Sequence, residues 1–508
     1  MKIITTKNTQ AKIKKGVDKI CDIVKVTLGG KGKNVIINNG IQNIQIINDG
    51  VTIAREVELE NIAENTGAML ARQVAEKTND EAGDGTTTTL VMLQAFLQAM
   101  EGVETNDVRG LREEIKAEVD KVVEELDKRK KPIKDGDIEN IAYISSLDRE
   151  IAKTIAELVK KIGKDGVVSV EDAKVAGIQT EVVNGIKIDD GYITPYFITN
   201  KETLKAEIKE VPILLTKKSI ATVNDILPLL EELARKNINK IVIMCEDITD
   251  EVLGFLVANK LKGMITPLVV KTSNMEDIAV VTGGEIVTPE NQKEFTSEAL
   301  GNATKIECGK FSTTVIGSES EKQEVQKKIE ELKAQIKNTE DEIEMDRIKQ
   351  RIAKLSGGVS VVRIAGDNAQ ETKEKKLKLE DALNSVRAAM EDGIVEGGGM
   401  ALYKIGEKLS KDTPAQEIVS QVIMKPFIQI LENAEENKDE VLTRGDNSNI
   451  YNAMGGYNVI TRKWENFYDT GVIDPVKVTK SALKNAFAMG NQILTAEAGI
   501  FQKNEKGK

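Results

Sequence analysis

Apolar residues recur every three or four positions between residues 10 and 28, and this spacing predicts an amphipathic helix. The apolar face of that helix consists of Ile13, Val17, Ile20, Cys21 and Val24. The helix is expected to end at the glycine-rich turn LGGKGKN. Two short β-rich runs, NVIIN and IQIIND, then flank an Asn-Asn-Gly turn. They predict a β-hairpin that delivers Asp49 to the end of a strand.

The pattern changes after about Asn184, where three β-rich runs, VPILLT, KIVIMC and TPLVVK, alternate with helical stretches at 222–236 and 249–262. Such alternation predicts an α/β domain. A charged segment from Ser318 to Leu355 follows, with isoleucine and leucine at helical spacing on both sides of the acidic sequence NTEDE. This segment predicts two antiparallel helices.

Glycines mark both ends of this middle block. Gly185 stands at its entry, and Gly357 and Gly358 stand at its exit, where LSGGVSVVRI changes from helix to strand. Glycine-marked strands at entry and exit are typical of an inserted domain on hinges. A helix at 371–391, the sequence EGGGM and a helical last third follow, so the chain is expected to return to its first domain.

The stretch GDGTTTTLV, from Gly83 to Val91, carries the clearest candidate chemistry. Helical spacing on both sides indicates a tight loop that opens a helix, where N–H groups, hydroxyls and the helix dipole favour phosphate. A carboxylate, Asp84, fits such a place if a hard cation lies between it and the phosphate, which suggests a Mg²⁺-nucleotide. An alternative stands beside this interpretation: an Asp-Gly turn, with Thr86 as a helix cap.

Composition narrows the possible functions. The chain has 508 residues, so two to four domains are expected. A net charge of −11 disfavours a nucleic-acid partner, and the lack of a long apolar run disfavours a membrane span, so we expect a cytoplasmic protein. The absence of histidine excludes His-based catalysis and His-ligated zinc. Cys21, Cys245 and Cys308 lack metal-ligand spacing and are expected to be buried thiols.

From about Ala11 to Glu497 the motifs together resemble the bacterial-type (group I, GroEL-like) chaperonins. The motifs that carry the resemblance are VKVTLGGKGKNV, DGVTIAREVELE, GDGTTTTLV, GVVSVED, DDGYITPYF, RIAKLSGGVSVVRI, KLEDALNSVRAAMEDGIVEGGG and GVIDPVKVTKSAL. The resemblance implies a multidomain α fold with an inserted α/β domain. It implies an equatorial ATP-binding domain at 1–128 and 392–508, an intermediate hinge domain at 129–183 and 360–391, and an apical substrate-binding domain at 184–359.

The resemblance also implies ATP and Mg²⁺ as ligands, and it leaves K⁺ open as a further ion. The residues that match nucleotide contacts are Thr27, Leu28, Gly29, Gly30, Asn48, Asp84, Gly85, Thr86, Thr87, Thr88, Gly398, Asn458, Val459, Ile460 and Asp474. Among them Asp84 matches the magnesium ligand. Asp49 and Asp381 match the carboxylates that act on the attacking water, and Asp381 is the best candidate for the base. Asp381 is expected to lie outside the nucleotide domain and to reach the phosphate only when the hinges close.

In the middle block, the resemblance implies an apolar surface for unfolded chains and for a co-chaperonin. The matching residues are Tyr192, Tyr196, Phe197, Leu227, Leu230, Leu253, Val257 and Ala258. The resemblance further implies a homo-oligomeric ring, commonly of seven subunits and in a single or double arrangement. Taken alone, helical leucines at this spacing would more often be core residues.

Three positions depart from the family pattern. Gly30 replaces a proline, Asn48 replaces a lysine beside the nucleotide, and Glu396 replaces a small residue, and the last two are expected to make the pocket less positive. The leading hypothesis is therefore an ATP-driven folding chaperonin, and the alternative is a nucleotide-regulated ring scaffold or holdase with weakened turnover. A kinase or dinucleotide enzyme is disfavoured, because no phosphate-binding glycine fingerprint follows the strands of the middle block.

Overall fold

The chain divides into two compact units in the computed structural model. One unit combines Met1–Glu157 with Ala365–Lys508, and the other is the continuous stretch Leu158–Ile364. The described residues are 2–5, 7–38, 44–103, 107–162, 167–173, 176–201, 203–290, 295–338, 341–446, 455–496 and 498–501. The division into three domains stays a prediction.

The first unit is mainly helical. Its helices are α1 Lys7–Val24, α2 Gly50–Glu56, α3 Ile62–Ala82, α4 Thr86–Ala99, α5 Val108–Arg129, α6 Asp135–Ser146, α7 Arg149–Ile162 (which runs across the boundary), α13 Ala369–Asp392, α14 Met400–Lys408, α15 Pro414–Asn433, α16 Lys438–Asp446, α17 Phe467–Thr470 and α18 Val476–Leu494. Its strands form two-stranded sheets: β1 Lys2–Thr5 with β18 Ala498–Phe501, β2 Val35–Asn38 with β3 Ile44–Ile47, β14 Ile394–Glu396 with β17 Ile473–Pro475, and β15 Gly455–Asn458 with β16 Lys463–Asn466.

The core of the first unit forms where α1, α3, α4, α15 and α18 pack together. The predicted apolar face of the first helix is confirmed, because all five of its residues are buried in this core. Phe96 of α4 packs edge-on against Phe487 of α18, with ring centroids 5.2 Å apart. The candidate phosphate loop leads directly into α4. Because α4 is buried in the core, the position and orientation of this loop are fixed.

The predicted hairpin after α1 is also confirmed. β2 and β3 pair antiparallel, with Val35 opposite Ile47 and Asn38 opposite Ile44. Asn39 and Gly40 of the predicted Asn-Asn-Gly turn lie outside the described residues. Strand β3 ends two residues before Asp49, which becomes the N-cap of α2.

The second unit is an α/β fold, as predicted. Its strands are β4 Val167–Asp172, β5 Gly177–Val183, β6 Gly185–Ile188, β7 Ala206–Thr216, β8 Lys240–Cys245, β9 Thr266–Lys271, β10 Ile286–Val287, β11 Gly301–Cys308, β12 Thr313–Ile316 and β13 Val359–Ala365. Its helices are α8 Val223–Arg235, α9 Asp250–Leu261, α10 Glu276–Thr282, α11 Lys322–Asn338 and α12 Glu342–Gly357.

A seven-stranded mixed sheet organises this unit, in the order β6-β12-β11-β7-β8-β9, with β10 also paired to β7. β7, β8 and β9 run parallel, with Leu214 opposite Ile243 and Val242 opposite Leu268. The helices between parallel strands cover the sheet, which is why β8 reads as a continuous apolar run. The two helices predicted for the charged segment are α11 and α12, which pack on each other. A smaller sheet has the order β4-β13-β5.

The three predicted hinge glycines lie within the second unit. Gly185 begins β6, and a Cβ there would lie 2.6 Å from Cγ2 of Val359. Gly357 ends α12, and Gly358 adopts a φ of +57°, which favours glycine. Glycine is therefore required by packing or by backbone conformation at two of these positions, and the hinge role stays a prediction.

The described part of the chain contains no helix that is both long and apolar enough to cross a membrane. The predicted burial of the cysteines is confirmed, since Cys21, Cys245 and Cys308 are all free, buried thiols.

Candidate functional site

The loop between α3 and α4 is built from two glycines with left-handed backbone. Gly83 closes α3 with a φ of +71°, and Gly85 is the N-cap of α4 with a φ of +84°. The alternative role of Thr86 as the helix cap is therefore wrong. Gly85 offers no side chain to the first turn of α4, where Thr86, Thr87 and Thr88 lie. An uncapped helix start presents N–H donors and positive dipole character, which suits an anion.

Asp84, between the two glycines, is held by three donors. Its Oδ1 accepts a hydrogen bond of 2.5 Å from the Gly85 N–H, and its Oδ2 accepts from Ser145 Oγ at 3.1 Å and from Ser385 Oγ. Burial raises the pKa of Asp84, the three donors oppose that shift, and the charge of Asp49 adds to it. Neither serine is predicted from the sequence.

Asp84 has the chemistry of a ligand for nucleotide-bound Mg²⁺. Among the described residues, no three Cys, Asp or Glu side chains lie close enough together to hold a metal ion by themselves. Mg²⁺ commonly takes one or two carboxylates and completes its shell with water and phosphate oxygens. A single carboxylate beside an uncapped helix start fits that requirement.

Asp49 and Gly50 bring a second segment against the loop. The Asp49 carboxylate caps α2, accepting from the Val51 N–H at 3.3 Å and from the Thr52 N–H at 2.8 Å. A Cβ at Gly50 would lie only 2.5 Å from Oγ1 of Thr87, so a side chain there would displace this hydroxyl from the start of α4. Gly50 is a position that the sequence analysis missed. Asn48, just before this turn, is partly buried.

Asp381 lies on α13, which belongs to the same compact unit as the loop. Burial raises the pKa of Asp381 well above its ordinary value, and the negative charges of Asp49, Asp84 and Glu380 raise it further. The structure thus brings Asp49, Asp84 and Asp381 together, and we call these residues the acidic trio. The approach of Asp381 to a phosphate group on hinge closure stays a prediction.

The turn after α1 forms another side of the site. Oγ1 of Thr27 lies 3.4 Å from Oγ1 of Thr87, which connects this turn to the loop. Gly29 has a φ of +87°, and a Cβ there would lie 2.8 Å from Cγ1 of Ile430. The amide of Asn433 donates to the carbonyls of Lys25, at 2.8 Å, and Leu28, at 2.9 Å. Asn433 is a further position that the sequence analysis missed.

Gly398 and Asp474 lie together on the β14–β17 sheet and the turn that follows β14. Asp474 pairs with Val395 across the sheet, and its carboxylate accepts from the N–H groups of Gly399 and Gly398. Burial raises the pKa of Asp474 to about 7, the charge of Asp84 adds to the shift, and these N–H donors oppose it. Gly398, with a φ of +60°, faces the same Ile430 that packs on Gly29.

Asn458 ends β15, and Val459 and Ile460 begin the turn to β16. The Asn458 side chain is occupied within this turn, where it accepts from the Ile460 N–H at 2.9 Å and donates to Glu465 at 3.1 Å. Val459 is buried. Ile460 is 60 % exposed, and its Cδ1 would lie 3.1 Å from a Cβ at Gly30. Of the three, Ile460 is therefore the residue that is presented beside the Gly30 turn.

Glu396 is not an unpaired negative charge at the glycine turn. Its carboxylate lies 3.3 Å from Nζ of Lys404, and both residues are buried. The expectation that Glu396 makes the pocket less positive is corrected by this pairing, because Lys404 offsets the charge. Lys404 lies on the next helix, α14, and the sequence pattern did not predict its pairing with Glu396.

The predicted polypeptide-binding residues divide into two groups in the second unit. Tyr196 is 64 % exposed, Ala258 is exposed, and Tyr192, Leu227, Leu253 and Val257 are partly buried. Phe197 is fully buried and Leu230 is only 9 % exposed, and both belong to the hydrophobic core. A surface role for these two residues does not fit, because Leu230 lies with Ile226 and Leu233 on the buried face of α8.

An apolar group that the sequence did not single out lies near the end of α9. Leu261 is 72 % exposed and Met264 is 62 % exposed. Nζ of Lys260 donates to the carbonyl of Ile198 at 2.9 Å, which connects this end of α9 to the turn that carries Tyr196. We call Tyr196, Leu261 and Met264 the apolar tip.

The raised pKa of Asp474 predicts how its removal changes stability with pH. Between its ordinary value of 3.8 and about 7, the folded protein holds a proton that the unfolded chain releases, so stability falls as pH rises through this window. Asp474→Asn removes this penalty, so the free energy of unfolding of the variant relative to the parent should increase by on the order of 4 kcal/mol from pH 4 to pH 8. Urea unfolding at several pH values measures the change. Asp469→Asn, at an exposed carboxylate on α17, is the control, and a similar profile for both variants would contradict the assignment.

Comparison with known proteins adds to this geometry. The model of the TCP-1/cpn60 chaperonin family matches residues 20–504. Among solved structures, the chain is similar to the chaperonin gp146 from the bacteriophage EL 2 (Pseudomonas aeruginosa), crystallised in the presence of ATP-BeFx. Crystal form II has 19 % identity and a TM-score of 0.66, with 99 % of this chain and 100 % of that chain covered. Crystal form I has 19 % identity and a TM-score of 0.62, with 99 % of both chains covered.

Proposed function

The chain belongs to the TCP-1/cpn60 chaperonin family, and from this premise we propose that it is a chaperonin whose Mg²⁺-dependent ATP hydrolysis drives the binding and release of non-native polypeptides. ATP binding and hydrolysis are supported mainly by one observation: the acidic trio lies near the uncapped start of α4. Three carboxylates near one another are unfavourable unless a cation or proton offsets their charge. A nucleotide-bound Mg²⁺ supplies that charge.

Each part of the site has a role in this proposal. The N–H groups and hydroxyls of Thr86, Thr87 and Thr88 would bind phosphate oxygens, and Asp84 would hold Mg²⁺. When bound, Mg²⁺ neutralises phosphate charge, which is the main electrostatic requirement of phosphoryl transfer. The turns at Gly29 and Gly398, which share Ile430 as a neighbour, would enclose the rest of the nucleotide together with Asp474.

Asp381 is the proposed general base, and Asp49 the second carboxylate that orients the attacking water. A base with a raised pKa accepts a proton more readily, and burial, together with the negative charges of Asp49 and Asp84, raises the pKa of Asp381 in this way. The release of phosphate from ATP, with and without Mg²⁺, tests this function directly. The absence of Mg²⁺-dependent release would contradict it.

A nucleotide-regulated ring scaffold or holdase with weakened turnover is the second candidate. Asn48 favours it, because no cationic side chain stands at that position beside Asp49. The pairing of Glu396 with Lys404 removes the other argument for it. Tight Mg²⁺-ATP binding with phosphate release near the uncatalysed rate would select this candidate.

Assembly belongs to the same proposal. We infer a homo-oligomeric ring, with seven subunits as the first arrangement to test, acting in the cytoplasm and open to a co-chaperonin partner. A ring would bring several copies of the apolar tip to one cavity, and weak contacts of several copies would hold a client together. Negative-stain imaging and light scattering under ATP test this assembly, and particles of monomer mass alone would contradict it.

Client capture gives a prediction at the apolar tip. Leu261→Ser combined with Met264→Ser should reduce capture of a chemically denatured model protein by about tenfold, because two exposed apolar side chains per subunit are lost. Both residues are exposed, so folding and basal ATPase should be preserved. Cosedimentation of the client with the protein measures capture. Lys262→Ser, an exposed polar change between the two sites, is the matched control, and capture equal to the parent by the double variant would exclude the tip as the capture surface.

A further inference from the structure

Helix α13 contacts three consecutive residues of the candidate nucleotide loop. Ala388 packs with Ala82 in a small buried cluster, and a Cβ at Gly83 would overlap the side chain of Asn384. Ser385 donates to Oδ2 of Asp84. The helix and the loop therefore fit each other at successive positions, so a shift of α13 along its axis would break all three contacts.

The Asp84 carboxylate is almost saturated with donors from the protein. The Gly85 N–H uses one acceptor direction of Oδ1, and Ser385 and Ser145 use two of Oδ2. An ionised carboxylate has about four acceptor directions, so about one remains. The two hydroxyls lie 3.4 Å apart on different helices, α13 and α6, and Ser385 is only 1 % exposed. A buried hydroxyl with this partner fixes the plane of the carboxylate.

Ser385 is also one helical turn after Asp381. Residues four apart lie on the same face of a helix, so the face of α13 that holds Asp84 also carries the proposed base. A hydrogen bond at Ser385 therefore sets the position of Asp381 relative to Asp84. Among the described residues of α13, Ser385 is the one whose side chain donates a hydrogen bond to Asp84.

We propose that Ser385, assisted by Ser145, is a positioning residue that orients the Asp84 carboxylate for Mg²⁺ and latches α13 onto the nucleotide loop. This inference rests on the proposed function for its metal. Carboxylates that bind metals are usually fixed by hydrogen bonds from a surrounding layer of residues, and loss of such a partner lowers metal affinity by about 10- to 100-fold. The latch also holds when no nucleotide is bound, because the hydrogen bond needs only protein groups.

The first test measures binding. In isothermal titration calorimetry of the full-length protein, Ser385→Ala should weaken Mg²⁺-ADP binding by about tenfold and leave ADP binding in EDTA within about twofold of the parent. Ser385→Thr keeps the hydroxyl and should restore Mg²⁺-ADP affinity. A merely structural role would weaken both forms of the nucleotide alike, and that result would overturn the proposal.

Ser146→Ala is the matched control. Ser146 neighbours Ser145 on α6, is 1 % exposed like Ser385, and donates its hydroxyl to the Ala142 carbonyl at 2.7 Å instead of to Asp84. Its removal deletes a buried serine hydroxyl from the same region without touching the carboxylate. We expect Mg²⁺-ADP affinity equal to the parent, and a tenfold loss in this control would overturn the specific role of Ser385.

The second test needs no nucleotide. Hydrogen–deuterium exchange of the nucleotide-free protein should show amides of 84–89 and 381–389 exchanging about tenfold faster in Ser385→Ala than in the parent, since one hydrogen bond to a charged group is lost. If the parent fails to bind Mg²⁺-ADP, the proposed function fails, and exchange still decides the latch. Unchanged exchange would overturn the latch.

If Ser385→Ala does not fold, the same two measurements are made on Ser145→Ala, which lacks the more exposed of the two hydroxyl donors. This variant must show weaker Mg²⁺-ADP binding and faster exchange, both to a smaller degree. Behaviour like that of the parent would count against the proposal.

Discussion

Replacement of Asp84 by Ala is expected to abolish Mg²⁺-dependent ATP hydrolysis, with a loss of at least about 10³-fold in turnover. The change removes the only carboxylate between the two left-handed glycines, and the phosphates would lose the cation that neutralises them. Nucleotide-driven movement should be lost as well, because any movement must be driven by differential binding of Mg²⁺-ATP. Phosphate release and calorimetry with Mg²⁺-ATP measure the two effects.

The Asp84 variant should nevertheless fold. Its removal relieves repulsion with Asp49 and Asp381, which offsets the loss of hydrogen bonds from Ser145 and Ser385. Asp80→Ala, at an exposed carboxylate one turn earlier on α3, is the control and should keep parent turnover. Full Mg²⁺-ATP affinity in Asp84→Ala would rule out its role as the metal ligand.

Replacement of Asp381 by Ala is expected to lower turnover by about 10²- to 10⁴-fold, the range lost when a positioned general base is removed. Binding of Mg²⁺-ATP should stay within a few fold of the parent, because Asp381 acts on water and not on the metal. The separation of turnover from affinity distinguishes this variant from Asp84→Ala. Single-turnover phosphate release and calorimetry give the two quantities.

The pH profile gives a second measure of the same role. The pKa of Asp381 is raised by burial and by its acidic neighbours, so the base is lost by protonation at a higher pH than for an ordinary carboxyl. Turnover of the parent should therefore fall as pH decreases, and the residual turnover of Asp381→Ala should lack this decline. Glu374→Ala, on the same helix and two turns earlier, is the control. Near-normal turnover in Asp381→Ala would refute the assignment of the base.

Local sequence patterns predicted much of the fold. The apolar face of α1 and the β2–β3 hairpin were predicted from the spacing of residues that are close together in the chain. Both predictions are confirmed. The α/β character of the second unit is also confirmed, because buried parallel strands leave long apolar runs. These features depend on residues that are neighbours in the chain, and the periodicity of apolar residues reports on such neighbours.

The polar partners in the site could not be predicted in this way. Ser145, Ser385 and Asn433 act through contacts with residues far away in sequence, and serine and asparagine have many roles in helices. Gly50 had a possible signal, since it directly follows Asp49 at a helix start. The close approach that disfavours a side chain at Gly50, however, involves Thr87 on another helix.

The apolar surface was misjudged for a related reason. Leu230 repeats with Ile226 and Leu233 at helical spacing, which indicates an apolar face but not whether a sheet covers it. In the structure this face belongs to the hydrophobic core of the second unit, so Leu230 is buried. Leu261 and Met264 are exposed because they lie at and beyond the end of α9, where the chain turns back to the next strand.

The second unit is continuous along the chain and the first unit is interrupted by it, and this difference affects the order in which the two units fold. All residues of the second unit, Leu158–Ile364, are adjacent along the chain, so this unit can fold as soon as it has been synthesised. The first unit cannot complete its core until α13 and the helices after it have left the ribosome. Folding of the inserted unit brings the flanking segments closer and lowers the entropy lost when they pair. The second unit is therefore expected to fold before the first unit, although the first unit contains the N-terminal residues of the chain.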